Sequence, residues 1–116
     1  MAAALLLPQL SFGQELKVMS YNIRLNTEKD GTNAWMYRCP ATLEMLKDQQ
    51  PDVFGVQEAL PEQVRFLEEW ADGYECVGVG RDDGKKKGEH MSIFWNKKTI
   101  KLMKWGTFWL SETPEK

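Results

Sequence analysis

The chain is 116 residues, 42% hydrophobic and 28% charged, with a formal net charge of −2, the composition of an ordinary globular protein and not of a disordered or collagen-like one. The length admits one domain, no apolar run approaches the roughly 20 residues that a membrane-spanning helix needs, and no global basic field marks a nucleic-acid binder. The charge is nonetheless split: Gln14 to Gly80 holds 6 Lys/Arg against 12 Asp/Glu, while Arg81 to Lys116 holds 9 against 5, which places metal-type chemistry in the first part and anion contact in the second.

Residues 1–13 combine a short apolar core, Ala2 to Leu7, with the breaker Pro8 and a small-x-small ending at Ser11-Phe12-Gly13. They resemble the later part of a signal peptide, although its positive opening is missing. Export to a secreted or periplasmic location, with Gln14 as the mature terminus, is the expectation; a frayed leader on an intracellular protein is the alternative. Residues 14–116 form the domain portion. The two cysteines, Cys39 and Cys76, are too few for a disulfide framework and lack metal spacing. One bridge and two small buried side chains both stay open.

Leu16–Arg24 mixes β-formers on both alternating faces and reads as a strand covered on two sides, and Asn26–Asn33 is a turn-rich loop. Pro40 opens a helix with Leu43 and Leu46 inward, ending before Gln50-Pro51. Asp52–Glu58 is the next buried strand. Pro61 opens a second helix, in which Leu60, Val64, Leu67 and Ala71 repeat at helical spacing until Gly73 ends it. Tyr74–Val79 is a short strand and Gly80–Gly88 a polar loop. Met91–Asn96 and Ile100–Trp105, joined by Lys97-Lys98-Thr99, look like an antiparallel hairpin. The order implies an α/β fold with a mixed sheet. Five tryptophans and an uncovered Phe108-Trp109-Leu110 imply a core larger than this chain encloses, as in the front part of a longer domain.

Parallel strands joined by one helical crossover lie side by side, so Asn22 falls beside Glu58 at neighbouring carboxyl ends, where open α/β sheets gather ligands. A carboxylate next to an amide suits a hard cation such as Mg²⁺, which takes oxygen ligands and keeps exchangeable waters. The competing reading is that Glu58 caps the helix near Pro61 and Asn22 merely ends a strand.

Two stretches carry a resemblance. Met19-Ser20-Tyr21-Asn22-Ile23-Arg24 and Pro51-Asp52-Val53-Phe54-Gly55-Val56-Gln57-Glu58 resemble the first two motifs of the endonuclease/exonuclease/phosphatase superfamily, which includes deoxyribonuclease I and exonuclease III. Gly78 to Gly84, Gly88-Glu89 and Gly106 to Pro114 are similar to its secreted bacterial branch, so the likeness runs from Leu16 to Glu115. It implies the N-terminal portion of a four-layer α/β/β/α sandwich that hydrolyses phosphate esters with Mg²⁺ or Mn²⁺. By motif, Glu58 would be the metal carboxylate, and Asn22 the catalytic amide that orients the phosphate or the attacking water.

The superfamily's later motifs, a histidine after a strand, an Asp-x-Asn segment and a terminal Asp-His pair, have no counterpart in these residues. The one histidine, His90, stands at a loop-to-strand junction and reads as a non-catalytic polar residue. Arg38, Arg81, Asp82 and Glu89 are the substrate-binding candidates; an arginine fork matches phosphate oxygens, and solvated loop charge is the alternative for Arg81 and Asp82. Trp35 reads as packing. Lys85-Lys86-Lys87 reads as a solubilising loop, and contact with nucleic acid is not favoured. Two functions follow: a metal-dependent phosphoesterase acting on phosphodiesters or phosphomonoesters, or a non-catalytic binding or structural module that keeps the metal-side half of the fold.

Overall fold

The structure is a computed structural model, and it describes residues 15–108 and 110–113. The signal-like segment, Gln14, Trp109 and residues 114–116 lie outside the described residues. Strands β1 (Val18–Asn22), β2 (Val53–Gln57), β3 (Tyr74–Val77) and β4 (Ile93–Asn96) alternate first with helices α1 (Trp35–Gln49) and α2 (Pro61–Trp70), and a 3₁₀ segment spans Glu28–Asn33. The strands form one mixed sheet in the order β1-β2-β4-β3. β1 and β2 run parallel across the α1 crossover, and β4 is antiparallel to both its neighbours. A mixed α/β chain with one mixed sheet is what the element order predicted.

Period-2 alternation sends Phe54 and Val56 of β2, Phe94 of β4 and the partly buried Met19, Tyr21, Tyr74 and Cys76 into one core with Trp35 and Leu46 of α1 and Val64 and Leu67 of α2. Phe54 and Phe94 stack at 4.7 Å, Phe54 meets Tyr74 edge-on at 5.2 Å, and Trp35 meets Phe66 edge-on at 5.4 Å, each within the range at which aromatic pairs attract beyond their burial. Trp35 is therefore packing, as expected. The opposite face of the sheet keeps Val18 and Ile93 at 65% and 50% exposure.

Three expectations are corrected. β1 is covered on one side only, not on both as its apolar residues on alternating faces suggest: Met19 and Tyr21 pack into the core while Val18 lies on the open face. α1 starts at Trp35, not in the turn of Pro40. A proline reads as a first-turn residue because its missing N–H is harmless there, yet here it sits inside the helix. The Met36 carbonyl, which a residue-40 N–H would have served, takes the Cys39 thiol at 3.6 Å instead. Ile100–Trp105 forms no strand. β4 already has β2 on one edge and β3 on the other, so it has no edge left for a hairpin partner. The chain turns at Asn96, whose carbonyl accepts from the N–H groups of Thr99 and Ile100, and Trp95 shares a hollow with Ile100 and Leu102. The antiparallel partner of β4 is β3. Cys39 and Cys76 are unbridged. Among the described residues no helix is long and apolar enough to cross a membrane.

Candidate active site

β1 and β2 end together. Asn22 stands opposite Gln57 in the parallel register, and the Ile23 N–H donates to the Gln57 carbonyl at 3.1 Å, so Glu58 is the next residue along from Asn22's partner. Both strands leave the sheet through a left-handed residue: Arg24 has φ +61° and Glu58 φ +62°. Non-glycine residues seldom adopt that region, and when held there they cluster at functional sites.

Glu58 is held by its neighbours and not by its own side chain. Gln57 is paired to β1, and the Ala59 carbonyl accepts from the His90 N–H at 2.6 Å. Among the described residues the Glu58 carboxylate makes no hydrogen bond and no ion pair. It does not cap α2: that task falls to Gln63, whose Oε1 accepts from the Leu60 N–H at 3.0 Å. Asn22 Oδ1 accepts from the Arg24 N–H at 2.9 Å, which fixes the amide with its NH₂ group as the donor left for a ligand. Arg24 closes a bidentate pair on Asp30 at 3.1 and 3.0 Å. That hydrogen-bonded pairing raises the Arg24 pKa, with a smaller push from the negative charge of Glu58, and holds the Asp30 carboxyl below its usual range.

The other candidates lie in two places. Arg38 is turned onto the chain itself, donating to the carbonyls of Asn33 at 2.6 Å, Ile23 at 2.8 Å and Arg24 at 3.3 Å. Arg81, Asp82 and Glu89 belong to the 80–90 loop. Arg81 pairs with Glu89 at 3.1 Å and lies 3.7 Å from Asp82, and the loop is drawn shut by Arg81 N–H to Glu89 and Asp82 N–H to Lys87 carbonyl bonds. Its closure needs glycine at 80, where a Cβ would lie 2.1 Å from the Lys87 carbonyl oxygen. His90 anchors this loop to the site: its backbone bridges both Ala59 and Gly80, and its buried ring donates from Nδ1 to the Gly88 carbonyl at 3.0 Å. A hollow of about 500 Å³ opens alongside between α2 and the loop, lined by Arg65, Lys85, Lys86 and Trp105 among others. Its charge suits an anion, with Glu68 the opposing carboxylate. Burial and the hydrogen bond to Glu68 push the Cys76 thiol there up to about 12, so it is no nucleophile.

Among the described residues no group of three or more His, Cys, Asp or Glu converges as a complete metal cage. One unspent carboxylate beside an amide fits a hard divalent ion that keeps most of its waters, the manner in which Mg²⁺ binds where a phosphate supplies further oxygens.

No family model and no curated protein matches the chain, whereas solved structures do. It is 36% identical to an endonuclease/exonuclease/phosphatase from Bacteroides vulgatus, at a TM-score of 0.83 over 86% of this chain and 38% of that one. It is 41% identical to a mannosyl-6-phosphatase from Bacteroides thetaiotaomicron, at a TM-score of 0.82 over 87% of this chain and 39% of that one. ANGEL2, a 2′,3′-cyclic phosphatase, follows at 26% identity and a TM-score of 0.57, over 77% of this chain and 29% of that one. The chain thus spans under two fifths of the length of these relatives. By its strand-end motifs and by its fold, it belongs to the endonuclease/exonuclease/phosphatase family.

Proposed function

We propose that the protein is a metal-dependent phosphoesterase, hydrolysing phosphodiester or phosphomonoester bonds, and that this chain supplies its metal-side half. The observation that carries the reading is the placement of Asn22 and Glu58 at adjacent strand ends, Asn22 opposite Gln57 and Glu58 next in line, where a carboxylate without a partner among the described residues is presented from a left-handed backbone position. Support comes from the phosphatase named among the Bacteroides relatives and from the cyclic phosphatase ANGEL2.

In this reading Glu58 holds a Mg²⁺ ion, with Mn²⁺ as the substitute. When bound, such an ion polarises a phosphoryl oxygen and steadies the leaving group. The Asn22 NH₂ donates to a phosphate oxygen as charge develops on it. The 80–90 loop supplies Arg81, oriented by Glu89 and Asp82, as a further phosphate contact. Arg38 orders the backbone under the site, since its donors face carbonyls. The Glu58 carboxylate is assigned to the ion, and the His90 ring anchors the 80–90 loop through the Gly88 carbonyl. A small phosphate ester suits the acidic first part better than a long nucleic acid does. Export rests on residues 1–13, and N-terminal sequencing of the mature protein should begin at Gln14; a retained Met1 removes that part of the proposal.

The test is hydrolysis of bis(4-nitrophenyl) phosphate and 4-nitrophenyl phosphate by the full-length protein. Activity should require Mg²⁺ and vanish with EDTA. Glu58→Gln removes one ligand charge at constant shape and should lower activity at least about 100-fold, on the scale of losing a principal electrostatic group, with the circular dichroism spectrum unchanged. Activity that is indifferent to Glu58→Gln across a Mg²⁺ titration overturns the assignment.

A further inference from the structure

Gln63 is a fully buried amide, at 0% exposure, and each end of it is used. Its Oε1 accepts from the N–H of Leu60 at 3.0 Å and from the N–H of Asn26 at 2.9 Å, while its Nε2 donates to the carbonyl of Arg24 at 2.9 Å. The first bond caps α2. The other two reach across 37 and 39 residues of sequence to the segment that follows β1. A helix cap alone requires neither.

The consequence lies in what the two tethered segments carry. Arg24 is the left-handed residue two positions after Asn22, and Leu60 lies two positions after the left-handed Glu58. Arg38 grips the same place from α1, through the carbonyls of Ile23 and Arg24. Past the Ile23 N–H bond to the Gln57 carbonyl, backbone pairing of the two strands ends; beyond it Gln63 is the buried side chain that spans the two exits, beside an exposed Asn26–Glu62 contact at 3.2 Å. We infer that Gln63 is a positioning residue, a clamp that holds the exits of β1 and β2 together so that Asn22 and Glu58 act on one phosphate. Its catalytic consequence rests on the function proposed above; the clamp itself does not.

Hydrogen–deuterium exchange on the full-length protein reads the clamp without metal or substrate. In Gln63→Met, exchange should quicken at least about tenfold both in residues 22–28 and in residues 59–63, since two buried donors and one carbonyl lose their partner. Quickening confined to 59–63 is what a cap alone gives, and it overturns the inference. Should Gln63→Met fail to fold, Gln63→Glu is measured above about pH 9, where even a buried carboxyl is ionised. It keeps both accepting bonds and turns the donor to Arg24 into a carboxylate oxygen that repels the Arg24 carbonyl, so residues 22–28 should loosen alone, and unchanged protection there overturns the clamp. With bis(4-nitrophenyl) phosphate, kcat of Gln63→Glu at that pH should fall roughly 10- to 100-fold with KM within about twofold, the pattern of displaced reacting groups. An unchanged kcat overturns the positioning role. A wild-type protein with no metal-dependent hydrolysis strikes down the proposed function instead, and the exchange result still decides the clamp.

Discussion

Two carboxylates flank β2, and their treatment differs. Asp52, just before the strand, accepts from the Lys17 N–H at 2.8 Å and from the Thr99 hydroxyl at 2.6 Å. The Asn96 N–H donates to its carbonyl, so three separate stretches of chain are stapled there. Those bonds hold the Asp52 carboxyl below its usual range, the Thr99 contact most and the Lys17 amide next. Glu58, just after the strand, has no such partner among the described residues and sits on an unfavourable backbone angle. A satisfied carboxylate contributes to folding, whereas an unsatisfied one held in place is available to a ligand. Under the proposed function, the contrast between the two ends of one strand is therefore a contrast between structure and function.

The strongest way to break that comparison is to remove the rigid strand between the two. Phe54 is completely buried, stacked on Phe94 and edge-on to Tyr74, and it lies on β2 between both carboxylates. Phe54→Ala in the full-length protein should cost about 3–5 kcal/mol of stability, the usual range for emptying a large aromatic site, as read from urea denaturation. Both ends should fail together. A loss below about 1 kcal/mol would mean that the ends are held independently of the β2 core.

The second prediction sharpens the contrast by giving opposite signs to folding and function. In Glu58→Gly the left-handed backbone suits the new residue, which removes a penalty of about 1 kcal/mol, and no hydrogen bond among the described residues is lost. The variant should be as stable as the wild type or more so, while metal-dependent hydrolysis disappears. A variant that is clearly less stable would show that the Glu58 side chain is part of the fold, which would turn the comparison upside down.

The Asn22–Glu58 juxtaposition was legible in the sequence because it follows from local rules: two β-rich stretches, one helical crossover between them, and polar residues at both strand ends. The start of α1 was not, since Pro40 gives the same signal at the first turn as it does when a cysteine thiol satisfies the stranded carbonyl. The fate of Ile100–Trp105 was illegible for a longer-range reason. Its β-forming residues are real, but edge availability on β4 depends on β3 arriving from the other side, which no local pattern records. Gln63 also escaped notice. Its signal was present as a glutamine at the third position of a helix opened by Pro61, the place from which a side chain reaches back to the cap. Its longer reach to Asn26 and Arg24 required the fold.

The smallest effect belongs to the satisfied carboxylate and shows only in acid. A carboxyl whose folded pKa is depressed contributes stability that is fully present above its unfolded pKa, near 3.9, and is lost as pH falls through the folded value. The Asp52 contribution is therefore intact at neutral pH and fades below about pH 4, where the protonated acid no longer accepts as well from the Lys17 N–H and the Thr99 hydroxyl. Asp30 and Asp83 are depressed in the same direction, by Arg24 and by the Lys87 and Lys85 amides respectively, so they share the acid limb. Asp52→Asn keeps the shape and a neutral acceptor while abolishing the titration. Its urea midpoint should start below that of the wild type at neutral pH and decline less steeply between about pH 5 and pH 2, the two curves converging at the acid end. Among the described residues, Asp30 and Asp83 contribute to the slope that remains. Parallel acid limbs in the two proteins would mean that the Asp52 staple is not a source of stability, and the line drawn between the two ends of β2 would go with it.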